Sequence, residues 1–331
     1  MDSLTPKIPA EFPPQGEQSP PFGNSTPKIP AEFPPQGEQS LLFGRIISSV
    51  AGNYTVKCDN GNTLICKAKG LFRLKKISPC AGDFVTLDTD GNEYIISEIH
   101  ERKNLLVRPP LANLDCAVIV VSACEPKPNP LIIDRMTVIF DCKGIESVLV
   151  FSKTDLVEPK KALLIDVYQS AGFACFFNYE ISRLTEFLCG KTSALIGNTG
   201  VGKTSLINRL IPGLELPTAE ISKKLGRGKH TTRTVEFRFL ENGGYIADTP
   251  GFSTVDVTAY SDIPACEVAL HFREFAPFLG KCKFGGCTHN GEEGCVICAA
   301  VESGETGGIS QGRYDSYVSI YAAAKRAEQE F

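Results

Sequence analysis

The chain predicts a multidomain α/β fold: a small β-barrel, a parallel sheet with helices on both faces, and a cysteine-rich C-terminal region closed by a helix. Three observations carry this. Five short strand-type runs separated by tight-turn signals lie between residues 43 and 100. From Cys116 to Ala247, apolar runs of strand length alternate with helical patterns, the texture of strands buried on both faces by crossover helices. Between Lys281 and Cys295, cysteines and a histidine cluster at metal-ligand spacing.

Composition sets the bounds. The 331 residues accommodate two or three domains, and 42% hydrophobic residues are ordinary for globular protein. No apolar run approaches the roughly 18 residues of a membrane span, and no basic segment leads into an apolar one at the N-terminus, so a cytoplasmic protein without a membrane partner is expected. The 13 cysteines are an odd number, mostly scattered singly in apolar segments (Cys116, Cys124, Cys142, Cys175); these read as reduced and buried, not as a disulfide framework. With a net charge of −4, any nucleic-acid partner must be met by local basic patches.

Residues 1–40 carry one sentence twice: TPKIPAEFPPQGEQS at Thr5–Ser19 and again at Thr26–Ser40. Rich in proline and poor in large apolar residues, this segment cannot bury a core, and disorder is its default. Identity without drift marks a recent duplication or a cloning artefact. The barrel is expected over 41–105, with strands Phe43–Val50, Tyr54–Cys58, Thr63–Ala68, Asp83–Leu87 and Tyr94–His100. Its length fits an oligonucleotide-binding (OB) type of barrel. Cys66–Ser78 holds Lys67, Lys69, Arg73, Lys75, Lys76 and Phe72 with no acidic residue. This is a phosphate-backbone grip with one stacking aromatic, or a solvated basic loop; the sequence leaves both open.

Glu101–Asp115 reads as a linker broken by Pro109 and Pro110. The sheet domain, 106–256, follows. Strand Cys116–Ser122, helix Leu131–Lys143, strand Ser147–Ser152, helix Pro159–Gly172, strand Phe173–Asn178 and helix Ile181–Gly190 alternate as a parallel sheet requires. Ligands of such sheets bind at the carboxyl ends of the strands, so the strand ends are where chemistry is sought.

Three ends carry it. The apolar run Ala194–Ile196 meets Gly197-Asn198-Thr199-Gly200-Val201-Gly202-Lys203-Thr204-Ser205, and a helical pattern starts at Lys203. A strand, a Gly-x-x-x-x-Gly-Lys-Thr loop and a helix start make a phosphate-binding loop: inward backbone N–H groups, Lys203 on the β- and γ-phosphates, the Thr204 hydroxyl on Mg²⁺. The second end is Ser152-Lys153-Thr154-Asp155. A carboxylate at Asp155 would accept from N1 and N2 of guanine, a donor pair adenine lacks, and so select GTP over ATP; the stem of Lys153 would lie along the base. The third, strand Tyr245–Ala247, ends in Asp248-Thr249-Pro250-Gly251. Asp248 suits the Mg²⁺ shell and the Gly251 N–H suits the γ-phosphate. Between the first and third ends, Ser222–Arg233 (SKKLGRGKHTTR) sits where a γ-phosphate-sensing switch belongs; Thr231 or Thr232 would complete the metal shell.

In this set the Lys-x-Asp element precedes the phosphate loop, the order of a circular permutation. With the barrel, and with the stretches Ala112–Asp115, Asp134-Arg135, GNTGVGKTSLIN, GRGKHTTR and DTPGF, the chain from about Leu41 onward closely resembles the ribosome small-subunit-dependent GTPases of bacteria, the RsgA or YjeQ family. The C-terminal region, 257–331, adds to the resemblance: Cys282, Cys287, His289 and Cys295 form Cys-x4-Cys-x-His-x5-Cys, a closed tetrahedral set for one structural Zn²⁺. Cys298 is an alternative ligand, left out because the family pattern resembles the first four. A last helix, Gln311–Gln329, is expected to pack this region onto the sheet domain through Tyr314, Val318, Tyr321 and Ala322.

The resemblance implies hydrolysis of GTP to GDP and phosphate in late maturation of the small (30S) ribosomal subunit, with barrel and zinc region holding ribosomal RNA, and a monomer is expected. It implies His230 as the catalytic residue, because Phe252 stands where many GTPases carry a water-orienting Gln. Two departures stand out: Ser152 replaces the usual Asn of Asn-Lys-x-Asp, and the region of Phe177-Asn178-Tyr179 holds no clear Ser-Ala for the base.

Overall fold

A computed structural model describes residues 42–90, 93–156, 163–216, 235–248, 263–304 and 308–329. The N-terminal repeat lies outside them.

The barrel is built from β1 (Leu42–Val50), β2 (Asn53–Cys58), β3 (Thr63–Ala68), β4 (Phe84–Asp90) and β5 (Glu93–Ile99), with a one-turn helix α1 (Leu71–Leu74) between β3 and β4. The strands run in the order β1-β2-β3-β5-β4, and β4 returns to pair with β1, closing the sheet. Closure removes both free edges and encloses a core of Ile46, Val56, Leu64, Phe72, Leu87 and Ile96.

The expected linker 101–115 is a small hairpin instead: β6 (Leu105–Val107) pairs with β7 (Pro110–Ala112). Pro110 is tolerated because it opens a two-stranded edge, where no neighbour requires its missing N–H.

Strands β8 (Cys116–Ser122), β9 (Glu146–Ser152), β10 (Ala174–Phe177), β11 (Thr192–Ile196) and β13 (Tyr245–Asp248) run parallel in the order β10-β9-β8-β11-β13, and β12 (Glu236–Phe239) lies antiparallel on β13. All seven residues of β8 and all five of β11 are buried, as covered parallel strands must be. Alternate residues serve opposite faces. Ile119 and Val121 face α2 (Pro130–Cys142) and α3 (Leu163–Ser170). Val118, Val120 and Leu195 face α4 (Ile181–Phe187) and α5 (Lys203–Leu210).

The barrel and this sheet are one hydrogen-bonded surface, because β1 also pairs with β12. The joint is pinned by Arg45, 8% exposed, which donates to the Thr192 hydroxyl (2.6 Å) and the carbonyls of Asn113 (3.1 Å) and Gly82 (3.3 Å) among the rings of Phe84, Phe237 and Tyr245. Gly82 has φ +98°, and a Cβ there would sit 2.0 Å from the Ala112 carbonyl oxygen, so only glycine allows this approach.

The C-terminal region comprises two 3₁₀ segments (Ala265–His271, Arg273–Phe275), a knuckle over 281–295, α6 (Val296–Ser303) and α7 (Gln311–Gln329). It shares a core with α2 through Val138, Phe272, Phe275, Ile297 and Tyr317. α7 docks partly through the expected residues, with Tyr321 buried and Tyr314 and Val318 packed against this core, and partly through residues not expected. Arg313, Ser316, Tyr317, Ile320 and Tyr321 are buried, while Tyr314, Val318 and Ala322 are half-buried. The helix is turned toward Arg313 because its guanidinium, 2% exposed, donates to Asp134 of α2 (2.6 Å) and bidentately to Glu274 (2.6 and 3.0 Å). None of the thirteen cysteines forms a disulfide; Cys116 is fully buried, and Cys124, Cys142 and Cys175 are half-buried, less than expected.

Candidate functional site

The glycine-rich loop leaves the end of β11 at Gly197, whose φ is +146° and whose Cβ, if it had one, would lie 2.5 Å from the Val120 carbonyl oxygen. The turn is therefore closed to any other residue. Gly202, φ +98°, caps α5 with no side-chain acceptor on the first turn, so the leading N–H groups stay open to an anion, favoured by the helix field. Thr204 and Ser205 lie in that first turn. The Lys203 ammonium folds back over the loop and donates to the carbonyls of Gly197 (2.5 Å) and Asn198 (2.9 Å). Burial pushes Lys203 down to about 8, against the opposing pull of Asp248.

Asp248 ends β13, the neighbour of β11. Burial raises its carboxyl, and Arg238 and Lys203 only partly hold it back. A half-buried carboxylate short of compensating charge, on the strand beside the one that leads into the glycine loop, fits a divalent cation.

The end of β9 lies on the other side. Ser152 pairs with Ser122 across β8 and, 3% exposed, sets its hydroxyl oxygen 2.5 Å from the Val201 carbonyl oxygen of the glycine loop. Lys153 takes φ +57° and donates from its ammonium to the Glu125 carbonyl. Thr154–Leu156 form a 3₁₀ turn with Asp155 exposed. The ends of β9, β11 and β13 thus bring Ser152–Asp155, Gly197–Ser205 and Asp248 to one edge of the sheet.

Sequence reasoning missed the loop after β8. A cleft runs from Val121 past Pro126, Asn129 and Ile133 to Gly197 and Asn198, so the entry to α2 walls the glycine loop. The only signal was position: β8 neighbours β11, and the loop follows its carboxyl end. The loop after β10, where no Ser-Ala was found, carries stacked rings of Phe177 and Tyr179 (centroids 5.2 Å apart, 7° between planes), and its Asn178 carbonyl accepts from Arg209 of α5 at 2.8 Å.

The C-terminal ligand set is a separate centre. The donor atoms of Cys282, Cys287, His289 and Cys295 all lie within 4.8 Å of one another. Sulfur of Cys282 is 3.9 Å from sulfur of Cys295, and Nδ1 of His289 is 3.4 and 3.5 Å from those two sulfurs. Bonds of about 2.3 Å to sulfur and 2.0 Å to nitrogen give tetrahedral edges of about 3.8 and 3.5 Å, so the cluster is compatible with a zinc site. Burial lowers the His289 imidazole toward the neutral form a metal binds. Glu292 braces the knuckle. Burial would raise its carboxyl, but the Thr288 hydroxyl and the amides of Thr288 and Asn290 hold it at about 2. Cys298 stands outside the set: its amide donates to the Cys295 sulfur (3.5 Å), and its own sulfur lies 3.3 Å from the Tyr314 hydroxyl oxygen.

The basic stretch of the barrel is not the grip with a stacking ring that one of its two readings required. Phe72 is 8% exposed and belongs to the barrel core, because one-turn α1 turns its ring inward. Lys67 pairs with Glu93 (2.8 Å) and Lys69 with Asp88 (3.6 Å). His230, Thr231, Thr232 and Gly251, with the rest of the 222–233 loop and Phe252, lie outside the described residues.

Comparison with known proteins bears on this arrangement. Residues 99–258 match the family model described as RsgA GTPase, and residues 43–95 the RsgA N-terminal domain. The chain is 43% identical over 284 residues to the small ribosomal subunit biogenesis GTPase RsgA 2 of Oceanobacillus iheyensis, covering 83% of this chain and 94% of that protein. It is 41% identical over 290 residues to the RsgA of Streptococcus pneumoniae, covering 87% and 96%. Among solved structures, YjeQ from Thermotoga maritima superposes with a TM-score of 0.71 at 32% identity, over 86% of this chain and 99% of that one. YloQ, described as a circularly permuted GTPase, superposes at 0.69 with 29% identity, over 89% and 98%.

Proposed function

The chain belongs to the RsgA GTPase family of GTP-hydrolysing enzymes, and from that premise we propose that it acts in late maturation of the small (30S) ribosomal subunit, hydrolysing GTP to GDP and phosphate while bound to ribosomal RNA. The observation that supports this reading best is the convergence of Gly197–Ser205, Asp248 and Ser152–Asp155 on one sheet edge, in permuted chain order.

In this reading the backbone of Gly197–Gly202 and the first amides of α5 wrap the β- and γ-phosphates. Lys203 leaves its two loop carbonyls for phosphate oxygens, and Asp155 accepts from guanine, with the Lys153 stem along the base. Thr204, Asp248 and Thr231 or Thr232 would hold Mg²⁺, which when bound neutralises charge developing across the β- and γ-phosphates. The Gly251 amide would meet the γ-phosphate, and His230 would orient the attacking water once the ribosome positions its loop. Cys282, Cys287, His289 and Cys295 would hold one structural Zn²⁺, contributing to the fold and to RNA contact and not to the reaction. The protein is read as a cytoplasmic monomer; among the described residues no helix is long and apolar enough to cross a membrane.

Phosphate release from GTP, with and without purified small ribosomal subunits and with ATP as control, tests the proposal. Strong stimulation by the subunit, seen only with GTP, is expected. Subunit binding that needs a GTP analogue but never speeds hydrolysis would replace it with a nucleotide-gated RNA-binding module, a reading that Ser152 and Phe252 favour.

A further inference from the structure

We propose that Ser152 is a positioning residue whose single hydroxyl proton anchors the glycine loop, so that this position leaves N7 of a bound guanine unread. The inference rests on the reading of this edge as a GTP site and adds how one of its residues divides the work.

The argument is a count of protons. A serine hydroxyl has one O–H; an asparagine amide has two N–H groups. In place of the usual asparagine, Ser152 therefore serves either the loop or the base as a donor, never both. The structure assigns the proton. The Ser152 hydroxyl oxygen lies 2.5 Å from the Val201 carbonyl oxygen and 3.3 Å from that of Val121, and both neighbours are acceptors. The shorter contact takes the proton. What remains on Ser152 is lone pairs, and N7 of guanine is itself only an acceptor, so no bond forms between them.

The surroundings hold this choice in place. Ser152 is 3% exposed, and the Ala123 amide donates to its carbonyl (2.9 Å), locking the strand end. A Cβ built on Gly202 would stand 3.7 Å from the Ser152 Cβ and 3.8 Å from its hydroxyl oxygen, so the side chain sits directly under the turn that leads into α5. Val201 is 3% exposed and anchored in the core on the α5 face of the sheet. The contact thus ties the end of β9 to the loop, two residues before Lys203. Guanine selection is left to Asp155.

The test uses the full chain, Mg²⁺, GTP and 7-deaza-GTP, in which N7 is replaced by C–H. Ser152→Ala is expected to speed dissociation of both nucleotides about tenfold, as loss of one buried hydrogen bond implies, and to leave the affinity ratio of 7-deaza-GTP to GTP at its wild-type value. Ser152→Thr, which keeps the hydroxyl, should restore wild-type dissociation. A purely structural role would instead lower the urea midpoint while the folded fraction kept its dissociation rate. The proposal is overturned if Ser152→Ala changes the 7-deaza-GTP to GTP ratio, if it leaves both dissociation rates at wild type, or if Thr behaves as Ala does. Failure of the wild-type chain to bind GTP at all would instead count against the GTP site itself.

Discussion

Lys203 shows how one residue carries both a geometry and a pH dependence. Its ammonium sits over carbonyls of its own loop, and burial has brought it down to about 8. A triphosphate would raise it again, so above pH 8 binding must take up a proton. GTP affinity should be full below pH 8 and fall, up to tenfold per pH unit, as pH rises through that value; calorimetric titration between pH 7 and 9.5 checks this. Lys203→Ala should weaken GTP roughly 100-fold, since charge-assisted contacts to phosphate are worth about 1.5–3 kcal/mol, and should flatten the profile. A wild-type affinity indifferent to pH, or an unaffected Lys203→Ala, would remove Lys203 from the phosphates.

The element that would depend most on the proposed zinc ion is the knuckle 281–295 with α6 and α7. The backbone of the knuckle is held from outside: the Tyr314 hydroxyl donates to the His289 carbonyl (2.9 Å) and that of Tyr317 to the Thr288 carbonyl. Three thiolates brought within 4.8 Å repel one another unless a cation lies between them. Removing zinc with a strong chelator should therefore raise hydrogen exchange across 282–304 and along α7, while the barrel and β8 stay protected. Readdition of zinc should restore it. Uniform exchange with and without chelator would mean that the cluster holds no structural metal. Sequence legibility was high at this scale for strands and low for faces. Buried strands such as β8 announce themselves by continuous apolar runs. On α7 the sequence pointed to Tyr314, Val318 and Tyr321, which do pack, but not to Arg313, because it is charged and the partners that permit its burial lie 39 and 179 residues away.

Across the whole molecule, the sheet domain is held at both ends by buried arginines. Arg45 pins the barrel to the start of β11, and Arg313 pins α7 to α2, with Tyr168 also donating to Asp134 at 2.6 Å. Arg313→Ala leaves Asp134, 0% exposed, and Glu274 without their cation. It should cost about 3–5 kcal/mol, read as a lower urea midpoint or as separate unfolding of the C-terminal region. A loss under 1 kcal/mol would show that apolar contacts of α7 alone hold the joint.

What the amino-acid sequence determined by itself is local: short strand-type runs between turn signals in the barrel, apolar runs in the parallel sheet, Gly-x-x-x-x-Gly-Lys-Thr between a strand and a helix, and Cys-x4-Cys-x-His-x5-Cys. Each is a signal among neighbours in the chain, set by backbone geometry and ligand spacing. Tertiary structure decided the rest. It turned Phe72 into core, made a hairpin of 105–112, placed the β8–α2 loop against Gly197, and set the Ser152 hydroxyl on the Val201 carbonyl 49 residues away. Such contacts depend on which strands become neighbours, a choice made by the burial of the whole sheet and not by any segment of it.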